Sequence, residues 1–258
     1  NRPTWMIDLE YKPSEDLMLY AKYSRGYRQG TIIPGNLSLE KTGPERVDTY
    51  EAGAKASFHG AVPGYFNFAW FYNNFRDQQL AANAVVADAF RDTISPSQAI
   101  VNAGKSRMWG IEVDASIRPF EGLKLDAAYA YLNTKLISIV PPVPPIFFAR
   151  LVTVAQPGNE LAQSPNNRLV LTATYTLPLD ESIGEISIGG TFTHTDANRV
   201  HDQQFAPTQF IAKAQDLVNL NVDWESVGGS PVDLAFFMTN VTNQKRVVYP
   251  GSIYSFGG

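Results

Sequence analysis

Three histidines, His59, His194 and His201, are the side chains here best suited to acid–base or metal chemistry. His194 and Asp196 stand two apart and share a face if their segment is extended; His201-Asp202 follows in the next loop, so a metal or proton-transfer site is conceivable. No Gly-x-Ser-x-Gly or His-Glu-x-x-His pattern accompanies them. With Cys at 0, thiolate nucleophiles, thiolate metal sites and disulfides are excluded. Exposed loop residues of this kind are more often simply solvated, so no catalytic residue, metal site or cofactor is expected and the chain is not expected to be an enzyme. Glu112 and Asp114 form a second carboxylate pair, at i and i+2. Such a pair suits general acid–base work, but a place in the middle of a strand makes it part of a solvated wall.

Binding is better supported than bond chemistry. Tyr27 and Arg28 stand at the top of a strand, Phe147, Phe148 and Arg150 follow a proline-rich segment, and Arg199 and His201 cap another strand pair. Aromatic rings beside cations suit an anionic or aromatic ligand, such as a metal chelate carrying carboxylates or catecholates. The competing view is that the apolar run Val140 to Phe148 packs only against neighbouring loops.

The elements that must position these residues are strands. In Asn102 to Leu132, Ile111, Val113, Ala115 and Ile117 alternate with Glu112, Asp114, Ser116 and Arg118. After Pro119-Phe120-Glu121-Gly122 the pattern repeats in Leu123, Leu125, Ala127, Tyr129 and Tyr131, with Lys124 and Asp126 on the other face. A period of two across a tight turn predicts an antiparallel hairpin with one apolar and one polar face. The same alternation recurs over Thr4 to Lys12, Asp16 to Ser24, Tyr50 to Phe58, Phe66 to Tyr72, Leu169 to Tyr175, Ile186 to Phe192, Val218 to Trp224 and Val232 to Met238. That gives about ten strands, joined alternately by short turns and by long segments at Gly26 to Arg46, Arg76 to Val101, Lys135 to Asn166 and Ala197 to Ala214. The run Ala81 to Ala89 fits a helical turn as well as a strand.

Strict short-then-long connections favour an up-and-down membrane β-barrel over a sandwich. Tyr11, Tyr23, Phe58, Tyr129, Tyr131, Tyr175 and Trp224 lie near strand ends on the apolar face, as interfacial girdle residues do. Glu112, Asp114, Lys124 and Asp126 are then expected to face the lumen, with the Pro119 to Gly122 turn on the periplasmic side. A soluble sheet with one wet face explains the charges equally well but the aromatic strand ends less well. Hydrophobic residues at 44% and charged residues at 18% exclude a disordered chain. No run of about 20 apolar residues exists for a spanning helix. A net charge of -4 gives no electrostatic case for nucleic acid.

Several segments resemble the C-terminal half of the barrel of TonB-dependent outer-membrane receptors: DLMLYAKYSRGYRQGT (Asp16 to Thr31), PERVDTYEAGAKASF (Pro44 to Phe58), Asn102 to Leu136, SPNNRLVLTATYTLPL (Ser164 to Leu179) and Leu217 to Gln244. The resemblance covers most of the strands and misses the variable loops. It implies an all-β, antiparallel up-and-down transmembrane barrel, here about ten strands of a 22-stranded parent, with the plug domain, the first half of the barrel and the closing strand absent from residues 1–258. A piece so cut is expected to have two open sheet edges and not to insert alone. The resemblance further implies a bacterial outer-membrane location, a lipid bilayer around the chain, and an inner-membrane energy-coupling partner of the TonB type reached through the missing N-terminal part. The implied activity is import of a scarce nutrient, foremost a ferric siderophore-type chelate, with cobalamin or a saccharide fitting the barrel equally well. An outer-membrane barrel enzyme or passive channel is the runner-up, and a soluble β-sheet binding module the third alternative.

Overall fold

A computed structural model describes residues 2–32, 42–88, 93–139, 149–152, 157–200 and 211–245. The strands in order are β1 (Trp5–Ser14), β2 (Leu17–Arg28), β3 (Glu45–Phe58), β4 (Gly64–Asp88), β5 (Thr93–Phe120), β6 (Leu123–Ile139), β7 (Ala149–Val152), β8 (Asn167–Thr176), β9 (Glu185–Thr195), β10 (Asn198–Arg199), β11 (Ile211–Ala212), β12 (Gln215–Glu225) and β13 (Leu234–Met238). Ten of them form one antiparallel meander, β1-β2-β3-β4-β5-β6-β8-β9-β12-β13; β7 adds to β4, and β10 pairs with β11 separately. The sheet is open, with β1 at one edge and β13 at the other. Among the described residues no helix is long and apolar enough to cross a membrane.

The central hairpin forms where the alternation placed it. Ile111 lies opposite Tyr131, Val113 opposite Tyr129 and Ala115 opposite Ala127. The turn is tight because Gly122 adopts φ 82°, and a side chain there would drive into the Thr176 carbonyl oxygen. Since directly opposed residues share a face, the register carries the two-faced pattern across the sheet. One face takes Trp5, Ile7 and Leu9 of β1, Leu19 and Ala21 of β2, Phe66, Phe68 and Trp70 of β4, then Leu171, Phe192, Val218 and Phe236.

Two expectations are corrected. Arg76 to Val101 is not an irregular connection, because β4 and β5 continue through it as a paired ladder from Gln78↔Gly104 to Asp88↔Thr93. The alternation is lost there because the register shifts between Phe75 and Gln78 and again at Gln79, with Asp77 in the left-handed region at φ 54°. Such a bulge inserts a residue and reverses the faces beyond it, which breaks the period of two. The segments Lys135 to Asn166 and Ala197 to Ala214 are likewise not wholly loop: β6 runs on to Ile139, β7 lies opposite Val86 to Asn83 of β4, and Asn198↔Ala212 opens the small β10–β11 ladder.

Among the described residues few side chains are buried. Leu136, Val200 and Ala212 are the buried apolar residues among those described, and Ile139 and Leu161 pack against Leu136. This small core sits at the upper end of β6, where Leu136 N–H donates to Asn159 O and Leu161 N–H donates to Thr134 Oγ1. Among the described residues no second layer covers the apolar face: Leu9 is 69% exposed, Phe66 42%, Ile188 48% and Phe236 63%. A β-sandwich would cover that face with another sheet about 10 Å away.

Candidate functional site

The polar face of β2 to β6 carries charged side chains joined by ion pairs and hydrogen bonds. Lys22 Nζ lies 2.7 Å from Glu51 Oε2, and Tyr20 Oη donates to Glu51 Oε1 at 3.0 Å, while the Lys55 ammonium sits 5.9 Å from the Tyr20 ring centroid. Gly53, between Glu51 and Lys55, makes room for that ring: a Cβ there would fall 2.5 Å from Tyr20 Cε1. Farther along, Asn67 Nδ2 donates to Asp114 Oδ1 at 2.8 Å, and Lys124 Nζ pairs with Asp126 Oδ1 at 3.0 Å. Glu112, Asp114, Lys124 and Asp126 thus share one face, opposite the apolar residues with which they alternate. Thr172 and Thr191 extend the polar face through a 3.0 Å hydroxyl contact, and Asn221 donates to Asp223 beyond them.

At the upper end of this face, backbone segments are tied together by two side-chain amides, the buried one of Gln79 and that of Asn102. Gln79 N–H donates to Glu45 Oε2, and Gln79 Nε2 donates to Gln29 O and Gly43 O. Asn102 Nδ2 donates to Gly43 O at 2.8 Å and Asp77 O at 2.7 Å, and its Oδ1 accepts from Gly43 N–H. The β2–β3 connection is therefore pinned to the extended β4–β5 hairpin.

Of the seven expected ligand residues, Tyr27, Arg28, Arg150 and Arg199 are among the described residues. Arg28 is on the polar side, exposed, 3.9 Å from Glu45 Oε1. Tyr27, its neighbour, points to the opposite face by strand alternation, where the Arg2 guanidinium sits 5.7 Å from its ring centroid. Arg150 lies in β7 opposite Val85, and Arg199 lies in β10 opposite Ile211. Phe147, Phe148 and His201 lie outside the described residues.

His194 does meet Asp196, with Nε2 3.0 Å from Asp196 Oδ1, and it meets a third group that spacing did not reveal. Its Nδ1 is 2.6 Å from Asp216 Oδ1 on the neighbouring strand. The cross-strand register His194↔Asp216 is the missing signal, because it is set by pairing and not by proximity in sequence. Asn167 donates to Asp196 through both N–H and Nδ2, and Tyr129 Oη donates to Asn167 Oδ1 at 2.6 Å. Burial pushes the Asp196 carboxyl up, but the hydrogen bonds from Asn167 and His194 outweigh it and hold the group below the usual carboxylate range. With both ring nitrogens engaged by carboxylates, this cluster clamps β8, β9 and β12 together. No group of three His, Cys, Asp or Glu among the described residues could hold a metal ion.

Aromatic rows edge the apolar face. Trp5, Tyr23, Tyr50 and Tyr72 follow one another with centroids 4.8, 4.9 and 6.5 Å apart, and Trp109 and Tyr131 continue the row at 5.4 Å. At the opposite end Phe120 meets Tyr175 edge-on at 6.2 Å. From Trp109 to Phe120 the strand rises about 36 Å at about 3.3 Å per residue, and a tilt of about 40° lowers this to a height of about 28 Å. Outer-membrane barrels carry an apolar band of about this height between aromatic girdles.

An open antiparallel meander with a bare apolar band, aromatic edges and a charged opposite face is a segment of wall from a transmembrane-type β-barrel. The chain belongs to the TonB dependent receptor-like β-barrel family, whose model matches residues 1–242. No curated protein matches it in sequence. Among solved structures, it is similar to the ferric yersiniabactin uptake receptor FyuA of Yersinia pestis at 17% identity and a TM-score of 0.69, over 95% of this chain and 33% of that one. The siderophore receptor PiuA of Acinetobacter baumannii gives 17% identity and a TM-score of 0.69, over 95% of this chain and 32% of that one. For BauA, the ferric preacinetobactin receptor of the same organism, the values are 16%, 0.66, 96% and 33%. The chain thus spans about a third of the length of these structures.

Proposed function

We propose that this chain forms part of the wall of an energy-coupled bacterial outer-membrane receptor that imports a scarce nutrient, a ferric siderophore-type chelate. The observation that carries this is the two-faced meander: a bare apolar band of membrane height backed by an ion-paired polar wall, in a chain of the TonB-dependent receptor family. Lipid covers the apolar band, and Glu112, Asp114, Lys124 and Asp126 face the lumen. No bond is made or broken in such transport; the wall holds shape while ligand binding and release are gated elsewhere. An inner-membrane protein of the TonB type supplies the energy, acting on parts of the receptor outside this chain.

Ligand capture falls to the upper loops, with Arg28, Phe147, Phe148, Arg150, Arg199 and His201 as candidate contacts. Tyr27, on the opposite face, is the weakest of the original set. Uptake of a radiolabelled ferric chelate by cells carrying the full-length receptor, with and without the coupling protein, tests the reading. Coupling-dependent uptake, reduced by Arg28→Ala and Arg150→Ala but not by Tyr27→Ala, is expected. Uptake indifferent to the coupling protein would indicate a passive channel.

A further inference from the structure

The cluster of His194, Asp196 and Asp216 lies on the apolar face of the sheet. By register His194 stands between Leu169 and Asp216, with Phe192, Gly190 and Ile188 on the same side of β9, and Asp216 shares its side of β12 with Val218, Leu220 and Val222. The hydrogen-bond chain that reaches the cluster starts from Tyr129, two residues short of the Trp109–Tyr131 pair, so the cluster sits at the upper aromatic edge of the bare band.

Its charges do not balance. Both His194 ring nitrogens face carboxylate oxygens, at 2.6 and 3.0 Å, and only an imidazolium has an N–H for each. One cation between two carboxylates leaves one negative charge over, and among the described residues no lysine or arginine lies within 4.0 Å of Asp196 or Asp216. Asp196 Oδ2 is taken by Asn167, whereas the Asp216 side chain is 55% exposed and its Oδ2 accepts from no group among the described residues. A carboxylate without a donor at the edge of a lipid-facing surface is costly.

Next to the cluster, on the band side, the same face is hollow. Ala115, Ala127, Ala173 and Gly190 leave the space, and Phe192 and Val218, the neighbours of His194 and Asp216 on that face, border it. The hollow measures about 570 Å³, inside the range of about 300–1,000 Å³ found for small-molecule sites. An apolar hollow with an anionic mouth is complementary to an amphiphile with a cationic head. A primary ammonium supplies both the missing charge and N–H donors, whereas a quaternary ammonium supplies the charge alone.

We propose that this hollow seats an acyl chain of a lipid whose headgroup carries a primary ammonium, and that the ammonium donates to Asp216. The proposal rests on the reading that the apolar face meets lipid.

The test uses the full-length receptor in phosphatidylcholine vesicles doped with phosphatidylethanolamine or phosphatidylcholine bearing the same pyrene-labelled acyl chain, read by energy transfer from the receptor's tryptophans. The two labelled lipids share phosphate and tail and differ in the N–H groups of the head. A preference of about tenfold for the phosphatidylethanolamine is expected, the effect of one charge-assisted hydrogen bond. Asp216→Asn should abolish the preference and Asp216→Glu should restore part of it, which a merely misfolded variant would not do. Ala127→Leu, which fills the hollow and leaves the carboxylates in place, should weaken association of the labelled phosphatidylethanolamine. Equal association of the two lipids, an unchanged preference in Asp216→Asn, unchanged association in Ala127→Leu, or full displacement by soluble phosphoethanolamine at equal concentration would overturn the proposal. Quenching of Trp70 and Trp109 by brominated phosphatidylcholine is read in the same vesicles. If quenching persists while the preference is absent, the ammonium site alone is wrong; if quenching is absent, the lipid-facing reading falls and the site with it.

Discussion

Val113→Arg tests the assignment of faces most directly. Val113 stands near mid-height of the apolar band, between Phe68 of β4 and Tyr129 of β6, about 13 Å along the strand from Trp109 at about 3.3 Å per residue. If that face meets lipid, an arginine there is held near the bilayer midplane, where outer-membrane barrels lose about 2–4 kcal/mol per basic substitution. This corresponds to a fall of about 30- to 900-fold in the folding equilibrium constant. Its neighbour Glu112 lies on the ion-paired face, so Glu112→Arg exchanges one solvated charge for another and should cost less than about 1 kcal/mol. Guanidinium unfolding of the full-length receptor in phospholipid vesicles, followed by tryptophan fluorescence, measures both as midpoint shifts at constant slope. A larger penalty for Glu112→Arg than for Val113→Arg would invert the faces and refute the lipid assignment; equal, small penalties would refute the membrane altogether.

Gly53→Ala should destabilise by about 1–3 kcal/mol in the same unfolding assay, since its Cβ would lie 2.4 Å from the Phe68 carbonyl oxygen and displace the Tyr20 ring from Glu51. Asn102→Ala removes the amide that holds Gly43 and Asp77. Hydrogen exchange at the Gly43 amide should then accelerate by the equivalent of about 1–3 kcal/mol while the β5–β6 turn keeps its protection. Asp180 accepts from the Ser182 N–H at 2.9 Å and its hydroxyl at 2.5 Å, and these bonds hold its carboxyl below the usual range. A lowered folded value means that the turn's extra stability is present above the ordinary carboxylate range and is lost as pH falls through the lowered value. The protection factor of the Ser182 amide, its exchange rate relative to the intrinsic rate at the same pH, should therefore fall on acidification, and should lose that pH dependence in Asp180→Asn.

The strands spanning the apolar band were legible because both faces of each strand carry contrasting residues. Ile111 to Ile117 against Glu112 to Arg118 fixes strand, face and hairpin at once. Beyond the band the contrast fades: Ala81, Ala82, Ala84, Val85 and Val86 are of one kind, so a paired ladder looks like an ambiguous apolar run. The bulge at Arg76-Asp77 hid the continuation further, because an inserted residue inverts the period on which the reading depends. The polar wall was legible as a set of same-face charges, while its partners were not. Lys22 meets Glu51, Asn67 meets Asp114 and His194 meets Asp216 across strands, and cross-strand register is fixed by pairing at a distance. Among the candidate contacts, Tyr27 and Arg28 are neighbours in sequence, and only the continuation of β2 to Arg28 shows that they fall on opposite faces.

The spacing of connections along the meander also bears on how it assembles. β3, β4, β5 and β6 are linked only by short stretches, residues 59–63, 89–92 and 121–122, whereas residues 29–44, 140–166 and 196–214 separate the flanking hairpins. Each doubling of a flexible loop adds about 0.6 kcal/mol to closure, so a connection roughly ten times longer than the Glu121–Gly122 turn costs about 2 kcal/mol more to close. The four-stranded block is thus the cheapest part of the sheet to nucleate. It also carries Tyr50, Tyr72, Trp109 and Tyr131, rings able to anchor a nascent hairpin stack at the bilayer surface before its neighbours arrive. Folding would then proceed outward from the β4–β5 pair in both directions, with β1–β2 and β8–β9 docking as preformed hairpins, and the slow steps would be the closures of residues 29–44 and 140–166.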